Sequence, residues 1–470
     1  MFYRAIGILF LVVAVIVGRA QTPPNIVLIL ADDLGYKDCG FTGSGIFQTP
    51  VIDELSHKGM VFTQAYAAAG NCAPSRACLM SGLYTPRHGV YAVGSTVRGP
   101  KEQMRLLAVP NTISLRPGIV TMAEALKARG YATGLFGKWH LGKGAETSPE
   151  AQGFDTYVDT RLPNPNKRRN EPGDPKGIFS LTNAAIDFME KNKKQPFFVF
   201  LSHHAIHSAQ EARPASIERF RKQGLTARQA LYAACIYDLD ASIGKVLQYL
   251  EAEKLTSNTL VIFTSDNGAT QESPQEPLRG NKGSYYEGGI REPFIACWPD
   301  KIKPGSISHT PVINIDLYPT FLDLAGGSNL KLDGESLLPL FTGKITSTRR
   351  PALFWHFPGY LDQPVIRGRD TIFRSRPVTV IRKGDWKLHL YHEEWLLDGG
   401  ITAIDRNNAV ELYDLKADEG ERSNLALDHK AKRDELLQDF LQWLKQTKAP
   451  LPQRLKDRKQ LDQKGADGEE

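Results

Sequence analysis

The sequence predicts an α/β protein, a β-sheet flanked by helices, with a smaller C-terminal α+β domain. Three observations carry this. Four apolar runs, at residues 25–30, 131–136, 197–201 and 259–264, read as fully buried strands, and helical segments lie between them. Each run empties into charged or imidazole side chains, where open α/β sheets keep their sites. After about residue 345 the pattern shifts to short alternating runs, such as 378–382 and 386–390, that suit antiparallel strands.

The helices have readable ends. Thr49-Pro50 starts a short one that Gly59 closes, and Thr121 with Glu124 forms a capping box ahead of a helix closed by Gly130. Thr226 with Gln229 is another, opening a long amphipathic helix to about residue 250. Near the C-terminus Leu436, Leu437, Phe440, Leu441 and Leu444 form one apolar helical stripe.

The first strand runs into Asp32-Asp33 and the fourth into Asp266-Asn267-Gly268. Three carboxylates and an amide oxygen are hard donors that suit Ca²⁺ or Mg²⁺. The second strand leads to Gly137-Lys138-Trp139-His140-Leu141-Gly142, and Arg279-Gly280-Asn281-Lys282-Gly283 follows the fourth. The third exits through Ser202-His203-His204-Ala205-Ile206-His207. In extended chain His203 and His204 point to opposite faces, and no cysteine or carboxylate is near in sequence, so zinc is not assigned.

The chain is organised around residues 71–82, Asn-Cys-Ala-Pro-Ser-Arg-Ala-Cys-Leu-Met-Ser-Gly. Pro74 suits a first helical turn, which puts Cys72 at a helix N-terminus, and Arg76 is near enough to hold an anion there. The run Cys72-x-Pro74-Ser75-Arg76, with Leu79 and Ser81-Gly82, resembles the signature of the type I sulfatases. Ser81 replaces the commoner threonine, and Leu83 stands where a basic residue is frequent. Gly130-Tyr131 with residues 137–142 resembles the family's second signature. Asp266-Asn267-Gly268, Lys282, Leu332-Asp333-Gly334 and residues 411–415 resemble its later segments in order.

This resemblance implies an alkaline-phosphatase-like fold with a large mixed sheet, and a sulfuric ester hydrolase. It implies that Cys72 is oxidised to formylglycine by a formylglycine-generating or anaerobic sulfatase-maturating enzyme. Asp32, Asp33, Asp266 and Asn267 would bind the metal with residue 72; Ca²⁺ is favoured and Mg²⁺ is the alternative. Arg76 would steady the aldehyde hydrate, and Lys138 and Lys282 would pair with sulfate oxygens. His207 would protonate the leaving alcohol, and His140 would take the proton that releases sulfate. His203 and His204 are expected to be structural. Two rival readings stay open: a phosphonate or phosphate diester hydrolase of the same superfamily, and a non-catalytic binder of sulfated glycan if Cys72 keeps its thiol.

For the substrate a sulfated poly- or oligosaccharide is expected. Trp355-His356-Phe357-Pro358 resembles a segment of polysaccharide sulfatases that reaches toward the sugar, which makes His356 a candidate contact. Arg367, Arg369, Arg374 and Arg376 are a basic cluster that suits a polyanionic glycan. The net charge of +6 over 470 residues agrees with an anionic substrate but points to no nucleic acid.

The expected organisation is a signal peptide at 1–20, a catalytic domain at 21–345, a C-terminal domain at 346–450 and a charged tail at 451–470. Arg4, the apolar stretch 5–17 and Gly18-Arg19-Ala20 fit an export signal cleaved near Ala20, with no transmembrane segment in the mature chain and a periplasmic or secreted product. Five cysteines are too few and odd in number for a disulfide scaffold.

Overall fold

The computed structural model describes residues 23–160, 171–327 and 329–456. The expected export signal lies outside them, as does most of the expected tail. Residues 453–454 pair antiparallel with 106–107, so the start of that tail is tied to the body of the protein.

The large sheet has eight strands: β1 (Asn25–Ala31), β2 (Met60–Phe62), β3 (Ala132–Gly137), β4 (Thr156–Val158), β5 (Phe197–Ser202), β6 (Thr259–Ser265), β7 (Ile295–Cys297) and β8 (Ser306–Ser308). Their order across the sheet is β8-β2-β7-β6-β1-β5-β3-β4. Every pairing is parallel except those of β7, so the sheet is mixed. The four strands expected from sequence are the contiguous block β6-β1-β5-β3.

Alternation along β1 shows why those runs are apolar throughout. Ile26, Leu28 and Leu30 join the core on one face, and Val27, Ile29 and Ala31 join the core on the other. Full burial of each such large side chain contributes about 1.5–3 kcal/mol relative to exposure. Helix α1 (Cys72–Ser81) packs on the first face through Ala73, Ala77 and Met80. Helix α2 (Ala227–Ala252), opened by the Thr226 capping box, packs on the second.

The C-terminal domain holds a four-stranded antiparallel sheet in the order β9 (Leu353–Phe357), β10 (Val378–Lys383), β11 (Trp386–Tyr391), β12 (Val410–Asp414). Helix α3 (Lys430–Thr447) covers it with Leu436, Leu437, Phe440, Trp443 and Leu444. Leu441 is the exception in the expected stripe: it is 40% exposed, and Trp443 packs in the core instead. All five cysteines are free and buried. Among the described residues no helix is long and apolar enough to cross a membrane.

Candidate active site

Register places the site. Leu30 pairs with Ser202, Ala31 with Ser265 and Gly137 with Ser202, so the next residues of four neighbouring strands emerge within one residue of the same level. Those residues are Asp32, His203, Asp266 and Lys138. Gly137 permits the closeness: its φ is +111°, and a Cβ there would sit 1.9 Å from the Ser202 carbonyl oxygen. Helix α1 starts above this edge and sets Cys72, 2% exposed, against it. Ligand atoms of Asp32, Cys72 and Asp266 lie within 4.8 Å of one another, as do those of Asp32, Asp33 and His207.

A dense charge network holds the cluster. Lys138 Nζ donates to Asp32 Oδ2 at 2.7 Å. Lys282 Nζ lies 2.7 and 2.9 Å from the two oxygens of Asp33, and Asn267 Nδ2 donates to Asp33 Oδ1 at 2.8 Å. Arg76 sets both Nε and Nη2 on Asp266 Oδ2 at 2.8 Å, while Asp266 Oδ1 accepts the Asp33 backbone N–H at 3.1 Å. Arg76 Nη1 also donates to Ser202 Oγ at 2.5 Å and to the Lys138 carbonyl at 2.9 Å.

The same network sets the protonation states. Burial alone would raise Asp32, but Lys138 and Arg76 hold it well below the usual carboxylate range. Burial pushes Asp266 up to about 8, against Arg76 and with the help of Asp32. Burial would lower Lys282, yet Asp33 holds it above its ordinary value. Burial, with Lys138 and Arg76 beside it, pulls His140 down to about 3 and keeps it neutral. Burial also lowers His207, opposed by Asp32 and Asp33. Its Nδ1–H donates to the Ser208 carbonyl at 2.6 Å, leaving Nε2 3.8 Å from Asp33 Oδ2.

Among the described residues, two expected ligand oxygens in this pocket have no hydrogen-bond partner. Asp32 Oδ1 and Asn267 Oδ1 are buried and accept no hydrogen bond. An unpaired buried acceptor costs about 1–3 kcal/mol, so nearly every one in a folded protein is satisfied. Both belong to the expected ligand set, and a hard dication fits them.

The structure thus gathers Asp32, Asp33, Cys72, Arg76, Lys138, His207, Asp266, Asn267 and Lys282, with His140 subject to the charges of the same cluster. His356 is a correction. It is 1% exposed, with Nδ1 on Thr379 Oγ1 at 2.6 Å and Nε2 on the Pro450 carbonyl at 3.0 Å. Both faces of β9 are covered, so His356 is a core residue that no sugar reaches. Neighbouring His204 lies 2.6 Å from Asp159, and His203 is buried and kept neutral. Ser202, which ties Arg76 to the Lys138 carbonyl, was not singled out from sequence. Its one signal was its place as the last residue of a buried strand.

The arginine cluster sorts into two kinds. Arg369 pairs with Glu394 and Glu411, Arg376 with Asp370 and Glu393, and Arg367 with Glu276. Among the described residues Arg374 bonds only neutral acceptors, the Lys282 carbonyl and both oxygens of Gln363.

Orphan hard ligands ringed by lysines and an arginine suit the cleavage of an anionic ester, and a metal-dependent ester hydrolase is the class that this sheet edge defines. Comparison with known proteins narrows the class. The sulfatase family model matches residues 24–328, and the chain belongs to that family, within the alkaline phosphatase superfamily; it is a sulfatase. A model for the C-terminal part of N-sulphoglucosamine sulphohydrolase matches residues 281–449. Similar relatives are a sulfatase of Formosa agariphila, 32% identical over 86% of this chain and 85% of its own, and human arylsulfatase A, 34% identical over 86% and 83%. Among solved structures, Ps i-CgsB in complex with k-i-k-neocarrahexaose is 27% identical, covers 90% of this chain and 93% of its own, and superposes with a TM-score of 0.71.

Proposed function

We propose that this sulfatase removes sulfate from a sulfated carbohydrate, acting through an aldehyde hydrate made from Cys72 and a Ca²⁺ ion. The observation that carries the reading is the pair of orphan oxygens, Asp32 Oδ1 and Asn267 Oδ1, beside the buried Cys72. Charge balance supports it. Asp32, Asp33 and Asp266 offset Arg76, Lys138 and Lys282, so a dication is neutralised by the single charge of a sulfate ester and that of an ionised nucleophile. The carbohydrate-bound relative supports a sugar substrate, and the apolar leader supports export.

When present, the cation and the hydrate supply an oxygen nucleophile that is ionised near neutral pH. The side chains do the rest. Asp32, Asp33, Asp266 and Asn267 hold the cation, with Mg²⁺ as the second choice. Lys138 and Lys282 face the charge on the sulfuryl oxygens, where fixed cations in a dry pocket are worth most. Arg76, fixed by Asp266, Ser202 and the Lys138 carbonyl, sets the position of that loop. His207 presents Nε2, because Nδ1–H is held by Ser208, and donates its proton to the leaving alcohol when charged. His140, neutral and with Nδ1 unpartnered, accepts the proton that frees the product.

Two measurements test this. Peptide mass spectrometry of protein from a host with a maturation system is expected to show the thiol at residue 72 replaced by an aldehyde. Rates on the sulfate and phosphate esters of one alcohol are expected to favour sulfate. An intact thiol in active enzyme, or faster phosphate turnover, rejects the reading.

A further inference from the structure

The C-terminal domain reaches the loop that carries Lys282. A small hairpin, Leu361–Asp362 paired with Phe373–Ser375, overhangs the Lys282-Gly283 loop. The stem of Arg374 crosses directly over Gly283, where an added Cβ would lie 2.1 Å from Arg374 Cδ. The guanidinium therefore sits one residue along from the lysine that grips Asp33. Residues 97–99 lie against the same hairpin, with Gly99 beside Phe373 and Arg98 paired to Asp362 at 2.7 Å.

Charges around this rim do not cancel. Lys282 is matched by Asp33 and Arg98 by Asp362, whereas the three partners of Arg374 are neutral oxygens at 3.2–3.3 Å. Those bonds are long for a guanidinium, whose strong contacts fall at about 2.7–2.9 Å and are made with anions. Burial and the nearby Arg98 lower the pKa of Arg374, and Asp362 and Asp33 oppose them, so it responds to the charges of both rim and site. A purely structural arginine has little reason to be here, because strand pairing and the Arg98–Asp362 bridge already secure the hairpin.

We propose that Arg374 is a specificity-determining residue that binds a second anionic group, a carboxylate or a second sulfate, carried by the alcohol part of the substrate beside the ester being cleaved. This rests on the carbohydrate sulfatase reading and narrows its substrate class to sugars with two anions close together. A planar fork with neutral side contacts suits bidentate capture of either group.

The test uses esters that need no knowledge of the sugar: phenyl sulfate, and phenyl sulfates with a second carboxylate or sulfonate at the 2-, 3- or 4-position. The quantity read is the ratio of kcat/KM for each dianionic ester to that for phenyl sulfate. In Arg374→Gln this ratio is expected to fall about 10- to 100-fold for at least one position, with Arg374→Lys in between. Comparing carboxylate with sulfonate tells which anion is preferred. A ratio within about threefold of wild type for every ester, whatever the absolute rates, overturns the proposal. Calorimetric binding of the same esters to Cys72→Ser, with and without Arg374→Gln, separates the two readings. Arg374-dependent binding in a protein whose wild type hydrolyses none of the esters sinks the hydrolytic reading alone, and equal binding with and without Arg374 sinks this proposal.

Discussion

Two of the buried charge clusters among the described residues differ in one respect. Between the domains Glu287 accepts from Lys387 at 2.9 Å and Tyr66 at 2.8 Å, and Glu421 accepts the Glu287 backbone N–H at 2.6 Å. Lys387 also reaches Glu421 at 2.9 Å, so all four carboxylate oxygens are partnered. The cluster at the sheet edge is as dense and as buried, yet it leaves Asp32 Oδ1 and Asn267 Oδ1 bare. Burial and charge alone do not mark a site; here the mark is that two oxygens of one expected ligand set stand open together. A closed network serves cohesion, and an open one is arranged for something that arrives later.

The largest effect expected from this contrast is catalytic. Cys72→Ala should lower kcat/KM by about 10⁴-fold or more while leaving the unfolding midpoint nearly unchanged; retention of a tenth of the activity would remove residue 72 from the chemistry. Next comes stability. Lys387→Met strands Glu287 and Glu421 in the interior and should cost about 3–5 kcal/mol in urea unfolding, with turnover per folded molecule preserved. If that variant is as stable as wild type, the closed cluster is not structural.

Chelation follows in size. Removing the cation should abolish activity and lower stability by about 2.7 kcal/mol relative to protein at 100-fold excess over Kd, with recovery on adding Ca²⁺. Chelator-treated protein with an unmoved melting curve would contradict the open cluster's purpose. The smallest effect is a pH slope. In the metal-free protein burial raises Asp266 from its ordinary 3.8 to about 8, so the native state binds more protons than the unfolded chain across that interval. Stability of the chelated protein should therefore decline as pH rises from about 6.5 through 8, the range in which the buried histidines are neutral in both states and add no opposing slope, and added Ca²⁺ should flatten the decline. A chelated protein that gains stability over the same interval would mean Asp266 stays ionised beside Arg76.

Much of this was legible in the sequence where chemistry sits directly at the end of a strand. Asp32, Lys138 and Asp266 follow runs whose burial is readable from composition, and parallel register does the rest. His356 became a candidate through the resemblance of residues 355–358 to a segment that reaches toward the sugar, and only tertiary packing shows it enclosed at 1% exposure. The second domain does reach the Lys282 loop, through Arg374 on a three-residue strand too short to carry a periodic signal. Its lack of a carboxylate depends on which acids fold beside its three neighbouring arginines, and nothing local encodes that.

The enclosure of Cys72 has a consequence for how the protein is made. With Cys72 2% exposed and held in the first turn of α1, little of it is open to a second protein once that helix has docked. If residue 72 carries the proposed aldehyde, its installation would be a race against the folding clock, run while the segment is still an open strand of chain. A cell that folds this polypeptide faster than it edits it would accumulate well-formed, permanently silent molecules.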